Sequence, residues 1–178
     1  GLRRGELAGL HWGDIDLDER RLSVSRSLVS VGYELHESRG KTRTSRRCID
    51  LDSTTVGVLR EWKNRRADED PNFDRSDQEA YVFARADGAP THPHLLSDAY
   101  KKLVKRSGLP RIRLHDLRHT HATLLLKAGV PIKVVSERLG HSTPGFTMAT
   151  YQHVLPGMQR EAAEIFAGLL ELLPDSTR

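Results

Sequence analysis

A change of hydrophobic period near residue 52 constrains this chain more than any other feature. Before it, residues 21–31 and 33–37 carry Val, Ser, Leu and Tyr in rough alternation about Gly32, and residues 47–51 repeat the pattern after a turn at Gly40. Period-two alternation puts successive side chains on opposite faces of a strand, and a glycine between two such runs marks a hairpin. After residue 52, apolar residues recur at helical spacing. Val56, Leu59 and Trp62 mark a helix that starts at Asp52 or Ser53 and runs to about Ala67, and residues 95–107 form a basic amphipathic helix closed by Gly108 and Pro110. Leu117, His121, Leu124 and Ala128 fall on one stripe of a helix ended by Gly129 and Pro131. Ile132, Val135 and Leu139 mark the next, which Gly140 stops. Residues 157–173 carry the strongest amphipathic pattern, with Met158, Ala162, Ile165, Phe166, Leu169, Leu170 and Leu173 on one side. The expected fold is α+β, a mainly helical domain with a small antiparallel β-sheet of about three strands near the N-terminus.

Composition narrows the function classes. At 178 residues the chain suits one domain and is short for two. With 37% hydrophobic and 29% charged residues and a mean hydropathy of -0.53, it has neither a disordered nor a membrane composition. Its apolar runs, such as Leu124 to Leu126, are too short to span a bilayer, and residues 1–12 lack the apolar centre of a signal peptide. No membrane partner is expected. Cys48, the single cysteine, has no partner for an internal disulfide, which fits the cytoplasmic location expected here; its strand context predicts a small buried residue. The 28 Lys and Arg against 24 Asp and Glu give a pI near 9.4, which permits nucleic acid. Positive charge concentrates in residues 39–47 and 101–113, and residues 68–79 are acidic.

The chemistry concentrates in the last third. His115 and Arg118 stand three apart near a helix start, where both can project to one site and helix amides favour an anion. A phosphate site and a surface ion pair, with Arg118 held by Asp116 or another acid, are equal readings of this pair alone. Leu139-Gly140-His141 puts a histidine directly after a helix stop, where its ring can face a cleft or cap the helix. Tyr151 follows ten residues later. A tyrosine is either a packing residue or a covalent nucleophile, and the second role needs cations to stabilise its phenolate.

Together these segments resemble the phage-integrase family of tyrosine recombinases. His115-Asp116-Leu117-Arg118-His119-Thr120, Leu139-Gly140-His141-Ser142 and Tyr151 with His153 match the second half of the family signature. Gly1-Leu2-Arg3-Arg4-Gly5-Glu6-Leu7, then Leu10-His11-Trp12 and Asp14-Ile15-Asp16, resemble its first box. Residues 40–47 are similar to its lysine turn. The resemblance covers almost the whole chain and implies a catalytic domain over residues 1–178. It implies site-specific DNA cleavage and rejoining through a 3′-phosphotyrosine intermediate.

By that resemblance Tyr151 is the nucleophile, Arg3 and Arg118 clamp the non-bridging phosphate oxygens, and His115 and His141 bond the phosphate and assist proton transfer. Lys41 is the general acid for the departing 5′ oxygen. Arg43, Arg46, Arg47, Lys101 and Lys105 are expected to meet DNA, with Lys102 and Arg106 on the same basic helix. The implied substrate is double-stranded DNA, not a small molecule. Because the phosphotyrosine bond conserves the energy, neither a cofactor nor a metal is expected; the i,i+4 pair His115 and His119 lacks the Glu of a His-Glu-x-x-His site. Implied partners are other recombinase subunits, a tetramer on DNA, with the 157–173 helix docking in trans or folding back. The chain reads as a piece of a longer protein, lacking an upstream DNA-clamping domain. The alternatives are a type IB topoisomerase and a non-catalytic regulator using residues 114–139 as a helix-turn-helix.

Overall fold

Leu22 and Val24 point inward and Arg21 and Ser23 outward along β2 (Arg21–Val24), and this alternation seeds the first of two cores. In the computed structural model, which describes residues 1–39, 46–151 and 158–171, β1 (Ile15–Asp16), β2 and β5 (Arg47–Asp50) form an antiparallel sheet in the order β1-β2-β5. Leu22 pairs with Ile15 on one side and Ile49 on the other. These residues pack with Leu10, Trp12 and Val82, and α2 (Ser53–Glu69) covers them through Leu59 and Trp62. The Trp62 indole donates to Val82 O at 2.8 Å, and Asp52 caps α2 by accepting from Thr55 N at 2.9 Å.

The hairpin lies where Gly32 predicts it, between β3 (Arg26–Val31) and β4 (Glu34–Arg39). Its partners differ from expectation. The run 21–31 breaks at Ser25, so β3 and β4 form a separate two-stranded sheet and β5 pairs with β2. The break has a local cause: the Ser25 hydroxyl donates to the buried Asp14 carboxylate at 3.3 Å, and beyond it β3 turns to meet α1 (Arg4–Ala8). Gly5 permits that approach, because a Cβ there would stand 2.6 Å from Leu28 O. Cys48 also corrects its expectation. Alternation along β5 buries Ile49, leaves Cys48 exposed and turns Arg47 to the inner face.

The second core is helical. Ala122 and Leu126 of α4 (Asp116–Lys127), Val135 and Leu139 of α5 (Ile132–Leu139) and Tyr151 of α6 (Pro144–Tyr151) pack together. The expected stripe on α4 is therefore displaced by one position. Leu117 and Leu124 are exposed and His121 is half-buried, whereas Arg118, Ala122 and Leu126 face inward. One residue is about 100° of helix rotation. The cause is that a charged residue, Arg118, occupies the inner face. Two further helices contribute to neither core cluster: α3 (Pro93–Arg106) begins with Pro93 at its first turn, and α7 (Met158–Glu171) exposes Ile165, Phe166 and Leu169. Among the described residues, no helix is long and apolar enough to cross a membrane.

Candidate active site

The site forms at the seam between the two cores, around the C-terminus of α5. The last carbonyls of a helix have no intrahelical partner and carry the negative end of its dipole, so they attract cations. Here three successive carbonyls each take an arginine from a different element. Arg47 Nε donates to Arg138 O at 2.8 Å, Arg118 Nη2 to Leu139 O at 2.6 Å, and Arg3 Nη2 to Gly140 O at 2.9 Å. Arg118 also donates to Gly1 O. Gly140 closes the helix in the left-handed region at φ 67, and a Cβ there would lie 2.8 Å from Arg47 Nη1. Both the turn and the arginine packing thus require glycine at this position.

Glu6 on α1 binds the same arginines from the other side. Its carboxylate accepts from Arg3 N at 2.7 Å, Arg3 Nη1 at 2.9 Å, Arg47 Nη1 at 2.9 Å and Arg47 Nη2 at 2.8 Å. Burial works against its charge, but the bonds from Arg47 and Arg3 outweigh that and hold its pKa at about 2. Arg118 is 5% exposed. Burial foremost, then the nearby Arg3, lowers its pKa to about 10, so it remains a cation at neutral pH. The surface ion-pair reading of Arg118 is corrected: Asp116 pairs with Arg113, accepting from its backbone N at 2.7 Å.

His115, His141 and Tyr151 lie around Arg118. His141 follows Gly140, and its Nδ1 lies 2.7 Å from the hydroxyl of fully buried Thr147 on α6. When that hydroxyl donates, the neutral ring carries its proton on Nε2. Burial first, then Arg118, Arg3 and Arg47, lowers the His141 pKa to about 4. His115 stands at the N-cap of α4, its pKa depressed by burial and then by His119 and Arg118. Tyr151 is 3% exposed, and its hydroxyl lies 2.9 Å from His119 Nδ1. Burial raises the pKa of this phenol, and Arg118 pulls against that rise.

An open groove of about 820 Å³ lies between α1, β3, α3 and residues 111–115 and meets the site at Arg3 and His115. Arg3, Arg4, Lys101, Arg111, Arg113 and His115 line it, with Asp98 as the acid in its wall. Lys105 and Arg46 are exposed outside the groove lining. Lys41 and Arg43 lie outside the described residues. Arg47 does not fit a DNA-facing role: its side chain is 7% exposed and committed to Glu6 and Arg138 O, because it shares the inner face of β5 with Ile49.

Of the sequence-predicted catalytic residues, the fold brings Arg3, Arg118, His115, His141 and Tyr151 to one region. Sequence reasoning missed the roles of Glu6, Thr147 and His119. Thr147 had a signal, since it precedes Tyr151 by four residues and so shares its helix face. The bonds of Glu6 to Arg47 and of His119 to Tyr151 span 41 and 32 residues, which periodicity does not register.

What fold and site define is an α+β domain in which one helix end gathers three arginines beside a buried tyrosine. The chain belongs to the phage integrase family, which it matches over residues 1–158. It is 36% identical over 177 residues to a tyrosine recombinase XerC-like protein of Caldanaerobacter subterraneus subsp. tengcongensis, covering 92% of this chain and 45% of the relative. Against the ICEBs1 integrase of Bacillus subtilis the identity is 32% over 171 residues, covering 96% and 46%. The chain thus spans less than half the length of these curated relatives. Among solved structures, the Tn1549 transposon integrase in complex with transposon right end DNA superposes with a TM-score of 0.78 at 26% identity, covering 93% of this chain and 55% of that one.

Proposed function

We propose that this chain is the catalytic domain of a site-specific DNA recombinase that breaks and rejoins strands through Tyr151. The observation that carries this reading is the convergence of Arg3 and Arg118 on adjacent carbonyls at the end of α5, with Tyr151 packed against the same helix. A guanidinium has five N–H donors in a planar fork. The carbonyl contacts fix one edge of each fork and leave further donors for a phosphate. A helix-turn-helix regulator would gain nothing by burying Arg118 there.

In the proposed reaction Tyr151 Oη bonds to the scissile phosphorus, the bond from phosphorus to the 5′ oxygen breaks, and a 3′-phosphotyrosyl ester remains. Arg3 and Arg118 neutralise the charge that builds on the non-bridging oxygens, which is the main requirement of phosphoryl transfer. His115 and His141 add hydrogen bonds to the same oxygens. Lys41, from the family resemblance, protonates the departing 5′ oxygen. Attack by a 5′ hydroxyl on the ester reverses every step and reseals DNA. Lys101 and the groove arginines hold the duplex by its phosphates. The apolar stripe of α7 docks on a neighbouring subunit, so that several chains assemble on one DNA.

The test begins with duplexes that this chain selects from a random-sequence pool, nicked at successive positions and resolved by denaturing electrophoresis. The wild type forms a covalent protein-DNA adduct, and Tyr151→Phe binds the same DNA with nearly unchanged affinity and forms none. An adduct surviving in Tyr151→Phe refutes the assignment.

A further inference from the structure

A tyrosine nucleophile must lose its proton as it attacks, and neither His115 nor His141, to which the family resemblance gives a part in proton transfer, is hydrogen-bonded to the Tyr151 hydroxyl among the described residues. The free phenol titrates near pH 10, and burial of Tyr151 moves it further from neutrality. Of His115, His119 and His141, only one touches the reacting oxygen among the described residues. His141 directs Nδ1 to Thr147, and His115 meets its neighbour His119 edge to face, with ring centroids 4.8 Å apart. His119, one turn after His115 on α4, places Nδ1 2.9 Å from Tyr151 Oη, and its ring centroid lies 5.8 Å from that of the tyrosine. The tyrosine ring is fixed by Ala122, Leu126, Val135 and Leu139, so the contact joins two well-packed elements.

We infer that His119 is a catalytic residue: its Nδ1 accepts the Tyr151 proton as the Oη–phosphorus bond forms and returns it when a 5′ hydroxyl displaces the tyrosine. The inference rests on the reading of Tyr151 as the nucleophile. Its balance is complete within the active site. The O–H bond of Tyr151 breaks, His119 becomes an imidazolium, the 5′ oxygen leaves, and that oxygen takes its proton from a separate donor. The transfer requires the tautomer in which Nδ1 accepts from the phenol and the ring proton sits on Nε2.

Single-turnover adduct formation on the selected nicked duplexes tests the role. General-base contributions are typically about 100-fold or more. His119→Ala and His119→Gln are each expected to slow adduct formation by about that factor while binding DNA normally. The Gln variant retains a hydrogen-bond partner and cannot take a proton, so wild-type rates in His119→Gln overturn the inference. The pH profile gives a second readout. The groups facing His119 are His115, Asp116 and Arg118 on its own helix, His141 from the turn after α5, and Tyr151 from α6. The acid limb of the wild-type rate profile is expected to change in His119→Gln, and a profile of unchanged shape overturns the inference.

Long-range nitrogen–proton NMR of the free chain keeps the test independent of the DNA. The His119 ring is expected to show protonated Nε2 and acceptor Nδ1, and to shift in Tyr151→Phe. A ring indifferent to that change overturns the contact. A wild type that binds the duplexes and forms no adduct at any pH overturns the nucleophile reading and this inference together. A wild-type adduct matched by His119→Gln overturns this inference alone.

Discussion

Replacing Glu6 by Gln should unclasp the arginine cluster without changing the size of the side chain. Glu6 is 7% exposed and accepts two bonds from Arg3 and two from Arg47, whose own side chain is 7% exposed. Gln offers one acceptor oxygen and turns an amide N–H2 toward the other arginine N–H groups, so Arg47 loses its counter-charge in a buried place. Removing one partner of a buried pair costs about 3–5 kcal/mol. The depressed pKa gives a second figure: the bonds from Arg47 and Arg3 hold the carboxyl at about 2, against an ordinary 4.5. At about 1.4 kcal/mol per unit this is roughly 3 kcal/mol. For a domain of this size that is a Tm lower by roughly 6–12 °C. The sign follows from the depressed pKa. The contribution of Glu6 is fully present above pH 4.5 and fades as pH falls toward 2, so the gap between wild type and Glu6→Gln should close over that window. Urea unfolding of both proteins from pH 7 to pH 2 checks it. A gap under 0.5 kcal/mol at pH 7, set against the roughly 3 kcal/mol expected, or one that persists undiminished at pH 2, would refute the reasoning.

Gly140→Ala forces φ 67 on an alanine and sets its Cβ against Arg47, so it should cost about 1–3 kcal/mol in chemical denaturation and lower adduct formation in step. The His141 pKa lies below its unfolded value, so its contribution to stability is complete above pH 6.5 and is lost as pH falls through about 4; His141→Asn should flatten that part of the stability profile. Lys101→Ala should weaken binding to all DNA sequences alike and reduce the slope of log affinity against log salt by about 1, read from fluorescence anisotropy.

The sequence announced the elements better than their faces. The turn at Gly32, the helix after Asp52 and the stop at Gly140 all carry local signals, and each stands where those signals put it. The α4 stripe failed because its inner face holds Arg118 for the sake of the α5 carbonyls, which inverts the pattern that periodicity reads. Arg47 failed for a related reason. In a run of basic residues it looks solvated, yet two-residue alternation with Ile49 places it inside, and the acid that neutralises it is 41 residues away. The motifs gathered Arg3, Arg118, His115, His141 and Tyr151 by resemblance, and the fold supplies the physical reason: one helix end organises three arginines. The contact between His119 and Tyr151 spans 32 residues and left no trace in local pattern beyond the spacing of two histidines.

Mass spectrometry of the trapped adduct identifies the residue that carries the cleaved strand, which in the proposed reaction is Tyr151. Trypsin releases residues 139–160 as one peptide in which Tyr151 is the only tyrosine. After nuclease trimming of the adduct, the predicted result is this peptide with a nucleotide attached to Tyr151 through a 3′ phosphate. A nucleotide on any other residue, or one attached through a 5′ phosphate, would rule out Tyr151 as the nucleophile at a 3′ phosphate.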